Sequence, residues 1–146
     1  MKSFKQYLNE KDNEALAAGA LFKAKDTGRY CVGFRSKICD TPHTYGPVGG
    51  SAADDETPME AVIREVGEEI GIKIHPHQLE LLDVFYAKKF SYHTFLCHID
   101  KESDLNDNLI MNAENEHMRW FHANLPPEPL HPGFAVTYRK KVLDLT

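Results

Sequence analysis

The sequence predicts one α/β domain, and three observations support this class. The chain has 146 residues, a length that suits a single hydrophobic core. Apolar segments predict strands at residues 15–25, 30–36, 79–90 and 92–99, and the last two segments are rich in Val, Phe, Tyr and Leu. Apolar positions at helical spacing predict two substantial helices, at residues 57–71 and 133–145. Strands interleaved with helices are typical of an α/β fold, so the whole chain, 1–146, is predicted to be one domain.

The first elements can be justified in order. Residues 1–10 place three apolar side chains on one helical face and predict a short N-terminal helix: Phe4, Tyr7 and Leu8. The strands at 15–25 and 30–36 are joined by the turn Asp26-Thr27-Gly28-Arg29, which has the composition of a tight connection. Lys37 to Tyr45 has no regular periodicity and predicts an irregular loop.

The first long helix has clear signals at both ends. Thr57 is a capping residue, Pro58 occupies the first helical position, and Glu60 completes a capping box. Gly71 is a C-terminal stop signal. Four apolar side chains between these ends share a narrow sector that should pack on the sheet: Met59, Val62, Val66 and Ile70.

The C-terminal half alternates predicted structure with breaks. After the strands at 79–90 and 92–99, the polar stretch Asp100 to Asn108 predicts a loop. Met118 to Phe121 predicts a short strand. Three prolines then interrupt the chain before the last helix: Pro126, Pro127 and Pro129.

Composition excludes several classes of protein. The net charge of -5 and the pI of about 5.9 argue against electrostatic binding of nucleic acid. The same charge requires bound cations if the ligand is a polyphosphate. No apolar run is long enough to span a membrane, and the N-terminus lacks a secretory signal. The three cysteines predict free thiols in a reducing cytoplasm, since a zinc site from Cys31, Cys39 and His43 would lack the usual short ligand pairs.

The most informative motif runs from Gly50 to Ile72. It reads GSAADDETPMEAVIREVGEEIGI and fits the pattern G-x5-E-x7-R-E-U-x-E-E-x-G-U at all nine specified positions, where U is a bulky aliphatic residue. A chance match in a chain of this length has a probability on the order of 10⁻⁸. The motif resembles the signature of the Nudix hydrolases. That resemblance implies the Nudix fold, a mixed β-sheet sandwiched between α-helices, over nearly the whole chain.

Three glutamates within the motif form a candidate metal site. Glu65, Glu68 and Glu69 are spaced i, i+3 and i+4, so they share one helix face and repel one another unless a cation binds. Carboxylate oxygens suit Mg²⁺ or Mn²⁺, although an isolated acidic helix face is more often simply solvated. The resemblance implies that Glu68 and Glu69 bind metal, and that Glu65 binds metal or orients the attacking water.

Other residues of the motif have implied supporting roles. Arg64 would hold the carboxylates in place, although it could equally form a simple surface pair with Glu60 or Glu68. Glu56 would either support the metal ligands from behind or be an accessory metal residue itself. In relatives, the carbonyl of the glycine before the motif often binds metal, and that glycine is Gly49 here.

Residues outside the helix are candidates for substrate binding and catalysis. Arg35 ends a predicted strand where relatives place a basic residue toward the phosphates, and Tyr45 and Gly50 flank the expected entrance. Alternatively, Arg35 is an exposed strand-end cation and Tyr45 packs internally. Glu114 and Glu116 lie in the loop where some relatives carry a further metal ligand or general base, and the prediction favours Glu116.

The predicted function is therefore a Mg²⁺-dependent (or Mn²⁺-dependent) Nudix hydrolase that cleaves a pyrophosphate linkage in a nucleoside diphosphate derivative. Its partner would be a small nucleotide-type substrate, without nucleic acid or membrane, and a homodimer is left open. The alternative is a Nudix domain that senses a nucleotide without cutting it. Residues 1–10 faintly resemble targeting segments of T4-like phage proteins, which would place the protein in the host cytoplasm or the virion.

Overall fold

The computed structural model describes residues 15–143, in which a seven-stranded mixed sheet lies between helices. The strands are β1 (Ala15–Ala24), β2 (Tyr30–Arg35), β3 (Tyr45–Gly46), β4 (Val48–Ser51), β5 (Leu79–Ala87), β6 (Phe90–Ile99) and β7 (Asn115–Phe121). The helices are α1 (Pro58–Ile70), α2 (Glu102–Asn106) and α3 (Pro132–Thr137), the last continuing as a π-helical segment, Tyr138–Val142. A 3-10 turn, Pro76–Gln78, precedes β5. Within residues 15–143, no helix is long and apolar enough to cross a bilayer.

Strand β1 is the centre of the sheet. The main order is β3-β2-β1-β6-β5, with β4 paired to β1 and β7 paired to β2. β1 and β6 run parallel along their full lengths, whereas the other pairs are antiparallel. β4 lies against the first half of β1, where Gly19 pairs with Gly49. The residues that precede α1 are therefore held on the central strand.

The two faces of the sheet bury separate apolar clusters. Alternation along β1 directs Ala18, Ala20 and Phe22 toward α1, whereas Leu21 faces the α3 side. α1 contributes Val62, Val66 and Ile70 to the first cluster, as its apolar stripe predicted. Phe134, Tyr138 and Val142 cover the opposite face. The predicted layering, a mixed sheet between helices, is confirmed.

Helix α1 begins and ends where the sequence predicted. Thr57 Oγ1 accepts a hydrogen bond from the Glu60 amide at 3.1 Å, and the Glu60 carboxylate accepts one from the Thr57 amide at 3.0 Å. Gly71 ends the helix with a φ of 70°, a left-handed conformation that glycine adopts readily. Both ends of the helix are therefore stabilised locally, which fixes the rotation and register of its acidic face.

Two predicted boundaries were wrong for a tertiary reason. The stretch Asp100 to Asn108 contains the short helix α2, because Leu105 is buried and Glu102 binds Arg29 from the opposite turn at 2.5 Å. β7 begins at Asn115 rather than at Met118, because it pairs with β2 as far as Arg35. The helix predicted at residues 1–10 lies outside the described residues.

Replacing Gly67 with alanine should stabilise the protein. Gly67 lies exposed inside α1, and an added Cβ would meet only the Ile72 carbonyl oxygen, at 3.9 Å. Glycine costs about 1 kcal/mol relative to alanine within a helix. We therefore expect Gly67→Ala to raise the melting temperature by about 2–4 °C in a thermal unfolding scan.

Gly71→Ala is the matched control, four residues further along. Its φ of 70° is unfavourable for alanine, and the new Cβ would lie 2.8 Å from the Cβ of Ile110. The same chemical change should therefore lower the melting temperature at Gly71. A decrease at Gly67 would contradict the open surroundings described for that residue.

Candidate active site

Three carboxylates converge where α1 meets the start of β7. One oxygen from each of Glu65, Glu69 and Glu114 lies within 4.8 Å of the other two. Glu65 and Glu69 stand one turn apart on α1, and Glu114 immediately precedes β7. The i, i+4 spacing and the pairing of β7 with β2 thus bring together acids that are distant in sequence.

Glu69 is the most unusual of the three. Its side chain is buried, with a relative exposure of 4%. Burial and the negative charges of Glu114 and Glu65 raise the pKa of Glu69 to about 9. Asn115 Nδ2 donates to Glu69 Oε1 at 2.8 Å, whereas the buried Oε2 has no hydrogen-bond partner among residues 15–143. A buried polar atom without a partner is costly, so this oxygen is a candidate ligand for a cation.

Arg64 links four residues around the cluster. Its guanidinium donates to both oxygens of Glu56, at 2.7 and 2.9 Å, to Glu65 at 3.0 Å and to Glu68 at 3.1 Å. It also donates to the Ser51 carbonyl on β4, at 3.0 Å. The hydrogen bonds from Arg64 lower the pKa of Glu56 to about 2. Arg64 thus contacts three carboxylates at once, whereas a simple surface pair would involve one.

The structure does not bring Glu68 and Glu56 into the three-carboxylate cluster. The Glu68 side chain is 58% exposed and pairs with Arg64, so it would have to leave that arginine to reach a cation beside Glu69. Both Glu56 oxygens accept hydrogen bonds from Arg64, and Oε1 also accepts one from the Ala53 amide. Glu56 is therefore placed as a support for Arg64.

The glycines of β4 allow a close approach on both sides. A Cβ on Gly50 would lie 2.8 Å from the carboxylate carbon of Glu65, so glycine leaves room for this side chain. A Cβ on Gly49 would lie 1.9 Å from the Ala18 carbonyl oxygen and 2.4 Å from the Gly19 Cα. Both glycines line the cleft beside the carboxylates.

Gly49→Ala should destabilise the protein, because the atoms that it would strike belong to the backbone of β1. Overpacking of this kind costs about 1–3 kcal/mol, and the melting temperature should fall by several degrees. Gly46→Ala is the control, since its Cβ would make only an ordinary 3.5 Å contact with His131. Equal melting temperatures for the two variants would contradict the close approach at Gly49.

The carboxylates open into a cleft of about 550 Å³. Its volume lies within the range of small-molecule sites. Arg35 and Asp40 line this cleft, and four aromatic residues form an aromatic wall within it: Phe85, Phe90, Tyr92 and Phe134. The cleft therefore combines an acidic end, a cationic group and flat apolar surfaces.

Arg35 and Tyr45 lie in different surroundings. Arg35 faces the cleft, and its guanidinium donates to the Asp40 carboxylate and carbonyl, each at 2.7 Å, which holds its orientation. Tyr45 is buried at 6% exposure, packs against Phe34 with ring centroids 4.7 Å apart and shares a 3.1 Å hydrogen bond with His117. It is absent from the cleft lining, so the packing alternative holds for Tyr45.

The loop acid that joins the cluster is Glu114, whereas Glu116 is exposed on β7 outside it. The sequence placed both acids in a loop before a strand beginning at Met118. Because β7 begins at Asn115, the residue at the cleft is the one that directly precedes the strand. Sequence reasoning also missed Asn115 and the aromatic wall, whose orientation depends on strand pairing that no local signal reveals.

The cluster fits a divalent cation. Three converging carboxylates supply the hard oxygen ligands that Mg²⁺ and Mn²⁺ prefer. A cation would also compensate the repulsion that raises the Glu69 pKa, and it would give the buried Oε2 a partner. The donor set contains neither histidine nor thiolate, which disfavours zinc.

Comparison with known families decides the relationship. The NUDIX domain family model matches residues 14–141, nearly the whole chain. The chain belongs to the Nudix family. This membership confirms the resemblance carried by the motif from Gly50 to Ile72, and it accounts for the placement of the acidic helix beside the glycines of β4.

Individual relatives share limited sequence identity with this chain. A Mycobacterium tuberculosis protein named "Putative 8-oxo-dGTP diphosphatase 3" is 28% identical over 103 residues, which cover 66% of this chain and 46% of that protein. This Nudix chain thus spans about half the length of that curated relative.

Solved structures agree in fold. The MutT protein from Methanosarcina mazei Go1 has a TM-score of 0.71 at 21% identity, covering 90% of this chain and 95% of its own. RenU, a Nudix hydrolase from M. smegmatis, also has a TM-score of 0.71, at 22% identity over 90% of this chain and 85% of its own. An Ap4A hydrolase from C. elegans has a TM-score of 0.65 at 23% identity, covering 90% and 97%. The predicted Nudix fold is confirmed.

Proposed function

We propose that this Nudix chain is a Mg²⁺-dependent hydrolase that cleaves a pyrophosphate linkage in a nucleoside diphosphate derivative. One observation carries the proposal: Glu65, Glu69 and Glu114 converge within 4.8 Å on the wall of a cleft large enough for a small molecule. The unpartnered Oε2 of the buried Glu69 supports cation binding at this point. An intact acidic motif also favours catalysis over sensing alone.

The same geometry supports specific roles. Glu65, Glu69 and Glu114 would hold the cation, and Arg64 would keep Glu65 oriented through its 3.0 Å hydrogen bond. When bound, the cation neutralises phosphate charge and lowers the pKa of a water molecule. Glu114 takes the place predicted for Glu116, as a ligand or as the group that accepts the proton of the attacking water.

Three further residues of the motif region keep accessory roles in this proposal. Glu68 would join a second cation only after leaving Arg64, with which it pairs at 3.1 Å. Glu56 would support Arg64, and the Gly49 carbonyl would serve as an additional oxygen ligand at the cleft. One or more cations are compatible with this arrangement.

The remaining cleft supports a substrate with anionic and aromatic parts. Arg35 would bind phosphate oxygens, with its guanidinium already oriented by Asp40. The aromatic wall suits a flat nucleobase, because base–aromatic stacking is favourable for every base. The net charge of -5 favours free nucleotides over long nucleic acids. Relatives named for 8-oxo-dGTP and Ap4A make these two compounds candidate substrates.

A nucleotide panel tests the proposal. It should contain dNTPs, 8-oxo-dGTP, ADP-ribose, NADH, Ap4A and a nucleotide-sugar, each incubated with Mg²⁺, with Mn²⁺ or with EDTA. We expect metal-dependent cleavage of at least one compound, and chromatography of the products identifies the bond that is broken. Tight binding of one compound without any turnover would instead favour a nucleotide-sensing domain.

A further inference from the structure

We infer that Asn115 is a positioning residue that presents one oxygen of Glu69 to the cation. Asn115 is buried at 6% exposure, and its Nδ2 donates to Glu69 Oε1 at 2.8 Å. The other oxygen, Oε2, has no hydrogen-bond partner within residues 15–143. The amide thus occupies one oxygen and leaves the second for a ligand. This inference rests on the proposed function, since it assigns a part in the same metal site.

The orientation of the Asn115 amide follows from chemistry. Asn115 Nδ2 is the atom that donates to Glu69 Oε1, and a carboxylate that binds a cation is ionised and only accepts hydrogen bonds, so this orientation suits cation binding. The amide oxygen then points toward Gly33 on β2, where an added Cβ would lie 2.4 Å from Oδ1. Gly33 therefore provides the space in which the amide lies. The position of Asn115 is therefore fixed by its own strand β7, by the neighbouring strand β2 and by Glu69.

The chain around Asn115 is anchored to the end of α1. The Asn112 amide donates to the Glu69 carbonyl at 2.8 Å, and the Glu114 amide donates to Asn112 Oδ1 at 2.9 Å. On the other side, the Ser36 amide donates to the Glu114 carbonyl at 2.9 Å. The backbone that carries Glu114 and Asn115 is thus fixed relative to Glu69 before any ligand binds.

Loss of the amide should therefore weaken metal binding. Without the donor, Glu69 Oε1 would also be left without a partner, and the carboxylate could rotate away from the orientation that faces Glu65 and Glu114. Groups that hydrogen-bond a metal ligand are typically worth 10- to 100-fold in metal affinity. Asn115 acts through Glu69, so its effect should appear in metal affinity before it appears in nucleotide affinity.

The test is Mn²⁺ binding to Asn115→Leu, measured by titration calorimetry and by electron paramagnetic resonance of the free ion. We expect the Mn²⁺ Kd to rise by about 10- to 100-fold. In turnover assays, the Mn²⁺ concentration for half-maximal rate should rise, whereas KM for the nucleotide at saturating Mn²⁺ should stay within about twofold. Asn108→Leu is the control, because Asn108 is exposed and its amide donates to the Asp104 carbonyl.

The possible results distinguish a positioning role of Asn115 from a purely structural one, and both from a failure of the proposed function. A folded Asn115→Leu protein with the wild-type Mn²⁺ Kd would overturn the inference, and a purely structural residue would lower the melting temperature without changing that Kd. If Asn115→Leu does not fold, the smaller Asn115→Ala and the amide-displacing Gly33→Ala serve instead, with the same expected rise in Kd. If the wild-type protein binds Mn²⁺ but cleaves nothing on the panel, the proposed function is refuted. The role of Asn115 is then still decided by comparing the Mn²⁺ Kd of Asn115→Leu with that of the wild type.

Discussion

Glu69→Gln is expected to abolish metal-dependent hydrolysis while leaving the fold intact. Glutamine has nearly the same shape and can still accept the hydrogen bond that Asn115 donates at 2.8 Å. It cannot supply the negative charge that a cation requires at the buried Oε2 position. Groups that only hydrogen-bond a metal ligand are worth 10- to 100-fold in activity, so removal of the ligand itself should lower kcat/KM by more than about 100-fold.

The measurement is turnover of the best panel substrate at several Mg²⁺ concentrations. Glu114→Gln should also lose most activity, because its carboxylate belongs to the same cluster. Glu116→Gln is the matched control, since it makes the same change two residues away on an exposed position. It should stay within about twofold of wild type. Full Mg²⁺-dependent turnover in Glu69→Gln would refute the assignment of this cluster as the catalytic site.

Without metal, Glu69→Gln should become progressively more stable than the wild type as pH rises. The pKa of Glu69 is raised from 4.5 to about 9 by burial and by the neighbouring acids Glu114 and Glu65. Between these two values, the folded state binds a proton that the unfolded state does not. The free energy of unfolding of the wild type must therefore decrease with pH across this window. Glutamine does not titrate, so the variant lacks this loss.

The stability advantage of the variant should increase by at most about 1.4 kcal/mol per pH unit between pH 5 and pH 9. It should level off above the folded-state pKa. Melting temperatures in EDTA at unit pH intervals measure this difference. The exposed Glu68→Gln variant is the matched control, since it makes the same chemical change one residue away. Adding Mg²⁺ should stabilise the wild type selectively, and most strongly at high pH.

A pH-independent difference between Glu69→Gln and wild type would show that Glu69 is ionised throughout, against the environment described here. Glu69 therefore represents a trade-off between stability and activity. Its negative charge lowers the stability of the metal-free protein, and the same charge binds the cation. Such destabilised groups are common at functional sites.

Signals between neighbouring residues in the sequence determined helix α1, the alignment of its acids and the family. Helix α1 was predicted to within a residue, because Thr57, Pro58 and Gly71 are signals that act over a single turn. The alignment of Glu65 and Glu69 followed from helical spacing alone. The family followed from the motif, whose nine positions matched without exception.

Only the tertiary structure decided which acid completes the cluster and which residues line the cleft. Glu114 rather than Glu116 joins Glu65 and Glu69 because the pairing of β7 with β2 begins at Asn115 and holds the residue directly before the strand at the cleft. Tyr45 turned inward for the same reason, through the pairing of β3. Helical spacing is a local property of consecutive residues, whereas strand register depends on partners distant in sequence. The sequence by itself therefore determined the acidic helix and the family, and the sheet decided how the rest of the site is assembled around them.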